Sequence, residues 1–335
     1  METPYKIGIT QGDINGISYE VIMKALSDPK IMEICTPIVY GLAKVASVHR
    51  KILNLQDFSF QFVKDVDHIS LKKPNLINLD DSEIKIDIGE STKIAGKMAE
   101  MSIEAACKDL KKNSIDAIVT APINKSNIQS ETFNFTGHTE YFSHHFESQR
   151  TMMMMVSNQL KIGFVTNHVA IQDLPSVLSE NLVYQKIEIL NNSLKTDFAC
   201  TNPKIAVLSL NPHCGDTGLI GNEEIEIIQP AIAEAFSKKI NVFGPFASDG
   251  FFASGQYLQF DAILAIYHDQ GMIPFKLLAK EDGVNYTAGL PIVRTSPAHG
   301  TAYHLAGKNC AAAQPMRSSI YLAIDILRNR ASFKE

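Results

Sequence analysis

Apolar residues occur along this chain in short runs set between longer stretches of mixed polarity. Tyr5–Thr10 (YKIGIT), Thr36–Tyr40 (TPIVY), Asp116–Thr120 (DAIVT), Lys204–Leu210 (KIAVLSL) and Ala262–Ile266 (AILAI) read as strands buried on both faces. Phe58–Val63, Asn75–Leu79 and Val242–Pro245 read as shorter strands. Between them, Ser18–Leu26, Leu42–Leu53, Ser91–Lys111, Glu180–Leu194 and Gln314–Arg328 carry helical spacing. In Ser91–Lys111 the residues Ile94, Met98, Met101, Ile103, Ala105 and Leu110 supply a broad apolar face. Met152–Ser157 and Leu160–Thr166 are separated only by Asn158-Gln159, which predicts a hairpin. Such a pair often lies at a sheet edge, where apolar strands need cover, so a dimer contact is expected there. The alternation of strand and helix predicts an α/β fold with a mostly parallel sheet.

The polar residues gather where the apolar runs stop. Ala262–Ile266 ends in Tyr267-His268-Asp269-Gln270-Gly271, with Lys276, Asn285 and Arg294 to follow. Ile205–Leu210 ends in Asn211-Pro212-His213, and Ile162–Thr166 in Asn167-His168. In open α/β sheets ligands sit beyond the carboxyl ends of strands. Three imidazoles delivered there, with one position left open, are a standard way to hold a catalytic divalent metal. Asp249 and Asp269 are carboxylates near strand ends, able to orient an imidazole; Asp249 could also accept a proton. His138 and Thr139 fall in the first turn of a helix predicted to run through Phe146, where free N–H groups favour an anion. Lys125, just past Asp116–Thr120, is either solvated or faces a phosphate or a nicotinamide ribose. GxGxxG is absent. Gly12 to Gly16 is a strand–turn–helix loop, and Gly215 to Gly221 reads as a flexible loop at the site.

Composition narrows the classes. The 335 residues suit two lobes. A net charge of −5 without a basic block argues against nucleic-acid binding. Five scattered cysteines with no CxxC pair read as reduced thiols of a cytoplasmic protein. Cys214, beside His213, is kept out of the metal set because adjacent side chains of an extended segment diverge. No signal pattern and no membrane-spanning run is expected.

Five blocks then stand in order: HTEYF (His138 to Phe142), NHVAIQDLP (Asn167 to Pro175), LNPHCGDTGLIGNEE (Leu210 to Glu224), YHDQGMIPFK (Tyr267 to Lys276) and GVNYTAGLPIVRTSPAHGTA (Gly283 to Ala302). With them the chain resembles the 4-hydroxythreonine-4-phosphate dehydrogenase family of vitamin B6 synthesis, from Ile9 to about Gly307. The resemblance implies an isocitrate/isopropylmalate-dehydrogenase-like architecture: two α/β lobes with a cleft between them, usually in a homodimer. The lobes are expected at 1–122 plus 300–335 and at 123–299, the second carrying most metal and substrate residues. It implies oxidation of 4-phosphooxy-L-threonine at C3 with NAD or NADP, then loss of CO2 to give 3-amino-2-oxopropyl phosphate.

Residue by residue, the resemblance implies substrate contacts at His138, Thr139, Lys276, Asn285 and Arg294. Metal ligands are implied at His168, His213 and His268, in a site shared across the dimer interface. Three imidazoles lean towards Zn or Co over Mg. Lys276, Asp249 and Asp269 are the candidates for proton transfer and for orienting the imidazoles. Gly300, Thr301 and His304 are expected against the adenosine part of the dinucleotide. Two departures stand out. The family's first loop reads more like G-D-P-x-G-I-G, where this chain has Ile14, Asn15 and Ser18, and it usually has Asp where His304 stands.

Three alternatives remain at this stage. One is a related dehydrogenase acting on 4-phospho-D-threonate or 4-phospho-D-erythronate. The second is a zinc hydrolase, which predicts activity without dinucleotide; no HExxH occurs. The third is a phosphometabolite-binding protein, which has no need of three aligned histidines.

Overall fold

The computed structural model describes residues 4–279 and 281–334. Twelve strands lie among them: β1 (Tyr5–Thr10), β2 (Cys35–Gly41), β3 (Gln61–Val63), β4 (Asn75–Asn78), β5 (Ala117–Thr120), β6 (Met152–Val156), β7 (Lys161–Phe164), β8 (Ile205–Leu208), β9 (Val242–Phe246), β10 (Ala262–Ala265), β11 (Val284–Ala288) and β12 (Val293–Pro297). The chain divides into two compact units, Met1–Phe146 with Ile292–Leu327 and Glu147–Pro291 with Arg328–Glu335. The expected breaks at 122/123 and 299/300 are thus displaced. Residues 123–146 stay with the first unit because Phe133 and Phe142 are fully buried and Phe133 stacks on Tyr141 at 5.1 Å. Residues 292–299 join it because β12 pairs with β5.

In the first unit the strand order is β3-β4-β2-β1-β5-β12, and every pairing is parallel. Ile7 and Ile9 on β1, Ile38 and Val39 on β2, and Ile118 and Val119 on β5 are wholly buried. Since neighbours along a strand face opposite sides, both faces of this sheet are covered. Each such side chain contributes about 1.5–3 kcal/mol on full burial.

In the second unit the order is β11-β6-β7-β10-β8-β9. β7, β10, β8 and β9 run parallel in succession, while β6 is antiparallel to both β7 and β11. The β6–β7 hairpin was expected at an edge and is not: β11 covers one side and β10 the other. Its five buried residues Met152–Val156 need that interior place.

A second difference lies at His268. The stretch after β10 reads as a turn in sequence, yet a helix runs His268–Ala279 with Pro274 inside it. Gly271 makes this possible. A Cβ there would stand 2.6 Å from Phe164 Cε1 and 2.9 Å from Ile162 Cγ2, so only glycine lets the helix lie this close to β7.

Candidate active site

Two groups of functional side chains are built, one in each unit. The first sits at the ends of β5 and β12. The register sets Arg294 beside Ile118 and Thr295 beside Val119. Arg294 is 2% exposed. Thr120 Oγ1 accepts from its Nε at 3.1 Å and its Nη2 at 2.7 Å, and Ser296 Oγ accepts from Nη2 at 2.9 Å. Neutral hydroxyls orient a guanidinium without cancelling its charge. Burial accordingly pushes the Arg294 pKa down to about 9, against the opposing pull of the Glu140 carboxylate.

His138 opens the helix His138–His145. Its Nε2 is shut away from solvent and has no hydrogen-bond partner. Burial first, then the charges of Arg294 and Lys125, hold its pKa well below the usual imidazole range. His138 is therefore neutral near pH 7, with one ring nitrogen still to be satisfied. Thr139 and Glu140 follow in the same first turn, both half-buried.

The second group stands at the carboxyl ends of β7, β10 and β8, which are neighbours in that order. β7 is prolonged by Val165 and Thr166, whose N–H groups donate to Ala265 and Ile266 carbonyls at 2.8 and 3.1 Å. That carries His168 up beside His268, with ring centroids 6.1 Å apart. His268 Nδ1 meets Asp269 Oδ1 at 2.6 Å. Such a contact fixes the tautomer and leaves the Nε2 lone pair available to a ligand. Gln270 ties the strand ends together. Its Oε1 accepts from Ile266 N at 2.7 Å, and its Nε2 donates to Ser209 O at 2.5 Å and Ser248 Oγ at 2.8 Å.

His213 lies beyond β8 on a loop of unusual backbone. His213, Cys214, Gly215, Asp216 and Thr217 all have positive φ, from 45° to 76°. Left-handed conformation costs roughly 1–2 kcal/mol per non-glycine residue and persists where the surroundings impose it. Glu224 imposes it. Wholly buried, it accepts from Leu210 N (2.8 Å) and Asn211 N (2.7 Å) at Oε1, and from Asn211 Nδ2 (2.9 Å) at Oε2. Ile220 N closes the loop onto Gly215 O at 3.0 Å.

Two of the three expected imidazoles stand together, and the third is on the loop of the adjacent strand. Among the described residues, no three His, Cys, Asp or Glu side chains are gathered to hold a metal within one chain. The donor chemistry still fits a nitrogen-liganded divalent ion: imidazoles carried past adjacent strand ends, one with a carboxylate behind it. Asn167 Oδ1, next to His168, is buried and also has no hydrogen-bond partner.

The other expected residues are placed as follows. Asp249 is exposed in the first turn of the helix Ser248–Ala253, close enough to Cys214 to act on its thiol by charge. Lys276 is exposed, eight positions after His268 and so about 12 Å further along the helix. Asn285 lies on β11, half-buried.

In the first unit, Thr301 meets the end of the Gly12–Gly16 loop, where Ile17 N donates to Thr301 O at 3.1 Å, while a Cβ on Gly300 would meet nothing within 4 Å. His304 is exposed in the short turn Tyr303–Leu305. Beside it Asp13, buried, accepts from Tyr303 OH (2.8 Å) and Asn127 Nδ2 (2.8 Å). His299 Nε2 is buried with no hydrogen-bond partner, and burial lowers its pKa.

Sequence reasoning did not find Thr120, Ser296, Glu224, Gln270, Asp13 or Tyr303. Each acts by holding another residue or a loop. Glu224, Gln270 and Ser296 had a signal only as members of the LNPHCGDTGLIGNEE, YHDQGMIPFK and GVNYTAGLPIVRTSPAHGTA blocks.

The fold is of the two-unit α/β class, and the chain's relatives of that fold are dehydrogenases. A beta-decarboxylating dehydrogenase from Thermococcus kodakarensis shares the fold, with a TM-score of 0.53 at 12% identity over 97% of this chain and 84% of that one. The model of the family described as pyridoxal phosphate biosynthetic protein PdxA matches residues 33–323, and the chain belongs to that family. A 4-hydroxythreonine-4-phosphate dehydrogenase from Bacteroides thetaiotaomicron is 49% identical over 98% of this chain and 90% of its own length. The crystal structure of the enzyme of that name from Klebsiella pneumoniae covers 97% of this chain and 98% of its own, with 33% identity and a TM-score of 0.80. A Cutibacterium acnes relative, 36% identical over 96% of this chain and 94% of its own, carries a name that points to D-threonate 4-phosphate instead.

Proposed function

We propose that the chain oxidises 4-phosphooxy-L-threonine at C3 with NAD or NADP and releases CO2 to yield 3-amino-2-oxopropyl phosphate, a step of pyridoxal 5'-phosphate synthesis. The observation that carries this reading is the 49% identity to the Bacteroides enzyme across nearly the whole chain. A bound nicotinamide would supply the hydride acceptor, and a bound divalent metal, Zn, Co or Mg, would supply Lewis-acid chemistry. His168, His213 and His268 would hold that metal, with Asp269 orienting His268. The site is read as completed in a homodimer; His168 and His268 stand together in one chain, and His213 lies on the loop after the adjacent strand.

The remaining steps belong to the side chains. Arg294, with His138 and Thr139, binds one anionic end of the substrate; Lys276 and Asn285 bind the rest. The C3 hydroxyl loses its proton to a group drawn from Lys276 and Asp249. Oxidation leaves a β-keto acid, whose C1–C2 bond breaks to CO2 and an enolate. The cations stabilise that negative charge until a proton returns to C2. Gly300, Thr301 and His304 face the adenosine half of the dinucleotide. All five cysteines are free, which supports a cytoplasmic location. Among the described residues no helix is long and apolar enough to cross a membrane.

The test is the absorbance of reduced nicotinamide on mixing protein, 4-phosphooxy-L-threonine and NAD or NADP, with and without a chelator. A signal abolished by chelator and restored by divalent metal is expected. The Cutibacterium relative favours a second reading, on 4-phospho-D-threonate or 4-phospho-D-erythronate. A signal with those compounds and none with the L-amino acid would replace the first reading by the second.

A further inference from the structure

Lys125 follows β5 on a fixed turn. Asn124 Oδ1 accepts from Ser126 N at 2.9 Å and Asn127 N at 3.2 Å, which sets where the exposed Lys125 side chain begins. That side chain turns towards the helix His138–His145. Its Cε and Nζ lie 3.6 and 4.0 Å from the point where a Cβ on Gly137 would stand, and Glu140 Oε2 lies 3.3 Å from the same point. Lys125 and the buried Arg294 are the two cations whose charges reach His138. Glu140 is the carboxylate that faces Arg294. Two cations therefore stand around His138, and the N–H groups at the helix start add positive partial charge. His138 Nε2 is enclosed there without a hydrogen-bond partner. Positive charge around an enclosed polar atom that lacks a partner is the arrangement of an oxyanion seat.

We propose that Lys125 is a substrate-binding residue that completes, with Arg294 and His138, the seat for one anionic end of the substrate, phosphate or carboxylate. This rests on the reading of the chain as a dehydrogenase of phosphorylated C4 acids. The two cations divide the work. Arg294 is buried and held by hydroxyls, so it fixes direction. Lys125 is a point charge on a flexible stem, able to close on the anion after it enters.

Calorimetry without dinucleotide tests this, since no turnover occurs. Wild type, Lys125→Met and Lys125→Arg are each titrated with 4-phosphooxy-L-threonine, 4-hydroxy-L-threonine and inorganic phosphate. Lys125→Met is expected to weaken 4-phosphooxy-L-threonine at least tenfold, and Lys125→Arg by no more than about threefold, as loss or retention of one charge-assisted contact implies. If inorganic phosphate weakens in parallel while 4-hydroxy-L-threonine does not, Lys125 holds the phosphate. The opposite pattern assigns it the carboxylate. Unchanged binding of the phosphorylated amino acid by Lys125→Met overturns the proposal, and so does a wild type that binds none of the three. A wild type that binds them, yet transfers no hydride with either dinucleotide, overturns the dehydrogenase reading and not this one.

Discussion

The Arg294 group and the histidine group solve opposite problems. In the first unit a guanidinium is buried against two hydroxyls, on two paired parallel strands. In the second, His168 and His213 are exposed, and His213 rides on a left-handed loop. The first group costs the fold a desolvated cation and is already in place before any ligand arrives. The second costs backbone strain and has two imidazoles together, with the third on the loop after the adjacent strand, whose start Glu224 anchors. On the roles proposed above, the first unit offers a preformed seat for an anion, whereas the second is finished by what binds to it. Preorganisation of the one and completion of the other should respond differently to substitution.

The largest effect is expected at Arg294. Arg294→Met should lower kcat/KM by about 10³, roughly 4 kcal/mol, because it removes a desolvated cation from an anion's contact. Arg294→Lys should recover little of this, since Thr120 Oγ1 takes both Nε and Nη2 of the guanidinium and an ammonium cannot reproduce that edge. Stability should move the other way or stay level, because burial of the guanidinium opposes its charged form and burdens the fold. Steady-state kinetics and thermal melting on the same preparations give both numbers. A variant that melts earlier but keeps its kcat/KM would make Arg294 a structural residue and erase the contrast between the two groups.

Glu224 tests the other side. Its carboxylate accepts three N–H groups around the His213 loop, and a Cβ on Gly215 would stand 2.8 Å from its Oε2. In Glu224→Gln the new amide turns an N–H towards either a backbone N–H or Asn211 Nδ2. One buried donor is left unsatisfied, at a cost of about 1–3 kcal/mol. The expected outcome is a lower melting temperature together with weaker binding of Co²⁺ or Zn²⁺ followed by titration. A variant that binds the metal as wild type does would show that the loop's strain is maintained without Glu224.

What the sequence disclosed follows the same division. The apolar strands and the histidines at their ends were legible because each block ends abruptly, as in Ile263–Ile266 before His268. β11 and β12 were not, because Asn285, Thr287, Arg294, Thr295 and Ser296 interrupt the apolar pattern although most of them are buried. The helix His268–Ala279 was hidden behind Gly271 and Pro274, residues that punctuate turns in isolation. Gly271 is there for packing against Phe164, a reason that exists only in three dimensions. Thr120 and Ser296 look like ordinary strand residues until the register brings Arg294 against them. Residues that do chemistry announce themselves by type, whereas residues that hold them in place are known by their neighbours.

The smallest effect is the pH dependence of stability, and it isolates His138. Burial, Arg294 and Lys125 all lower its pKa. In the unfolded chain it titrates near 6.5. Below that pH the unfolded state binds a proton that the folded state refuses, so stability falls as pH falls; above it, both states are neutral and the contribution is constant. The loss should approach about 1.4 kcal/mol per pH unit while His138 stays neutral in the fold. His49 and His299 are also lowered by burial and push in the same direction, so the whole-protein curve alone does not assign the effect. The difference between wild type and His138→Asn does. Urea unfolding of both should show the wild type losing stability relative to the variant as pH drops below 6.5, and a constant difference above it. Lys125→Met should move the onset of that loss to no lower pH and reduce its extent, because one of the charges that keeps His138 neutral is gone. A difference that does not change with pH would mean that His138 takes up its proton in the folded protein, and that the wall around Arg294 admits a second charge.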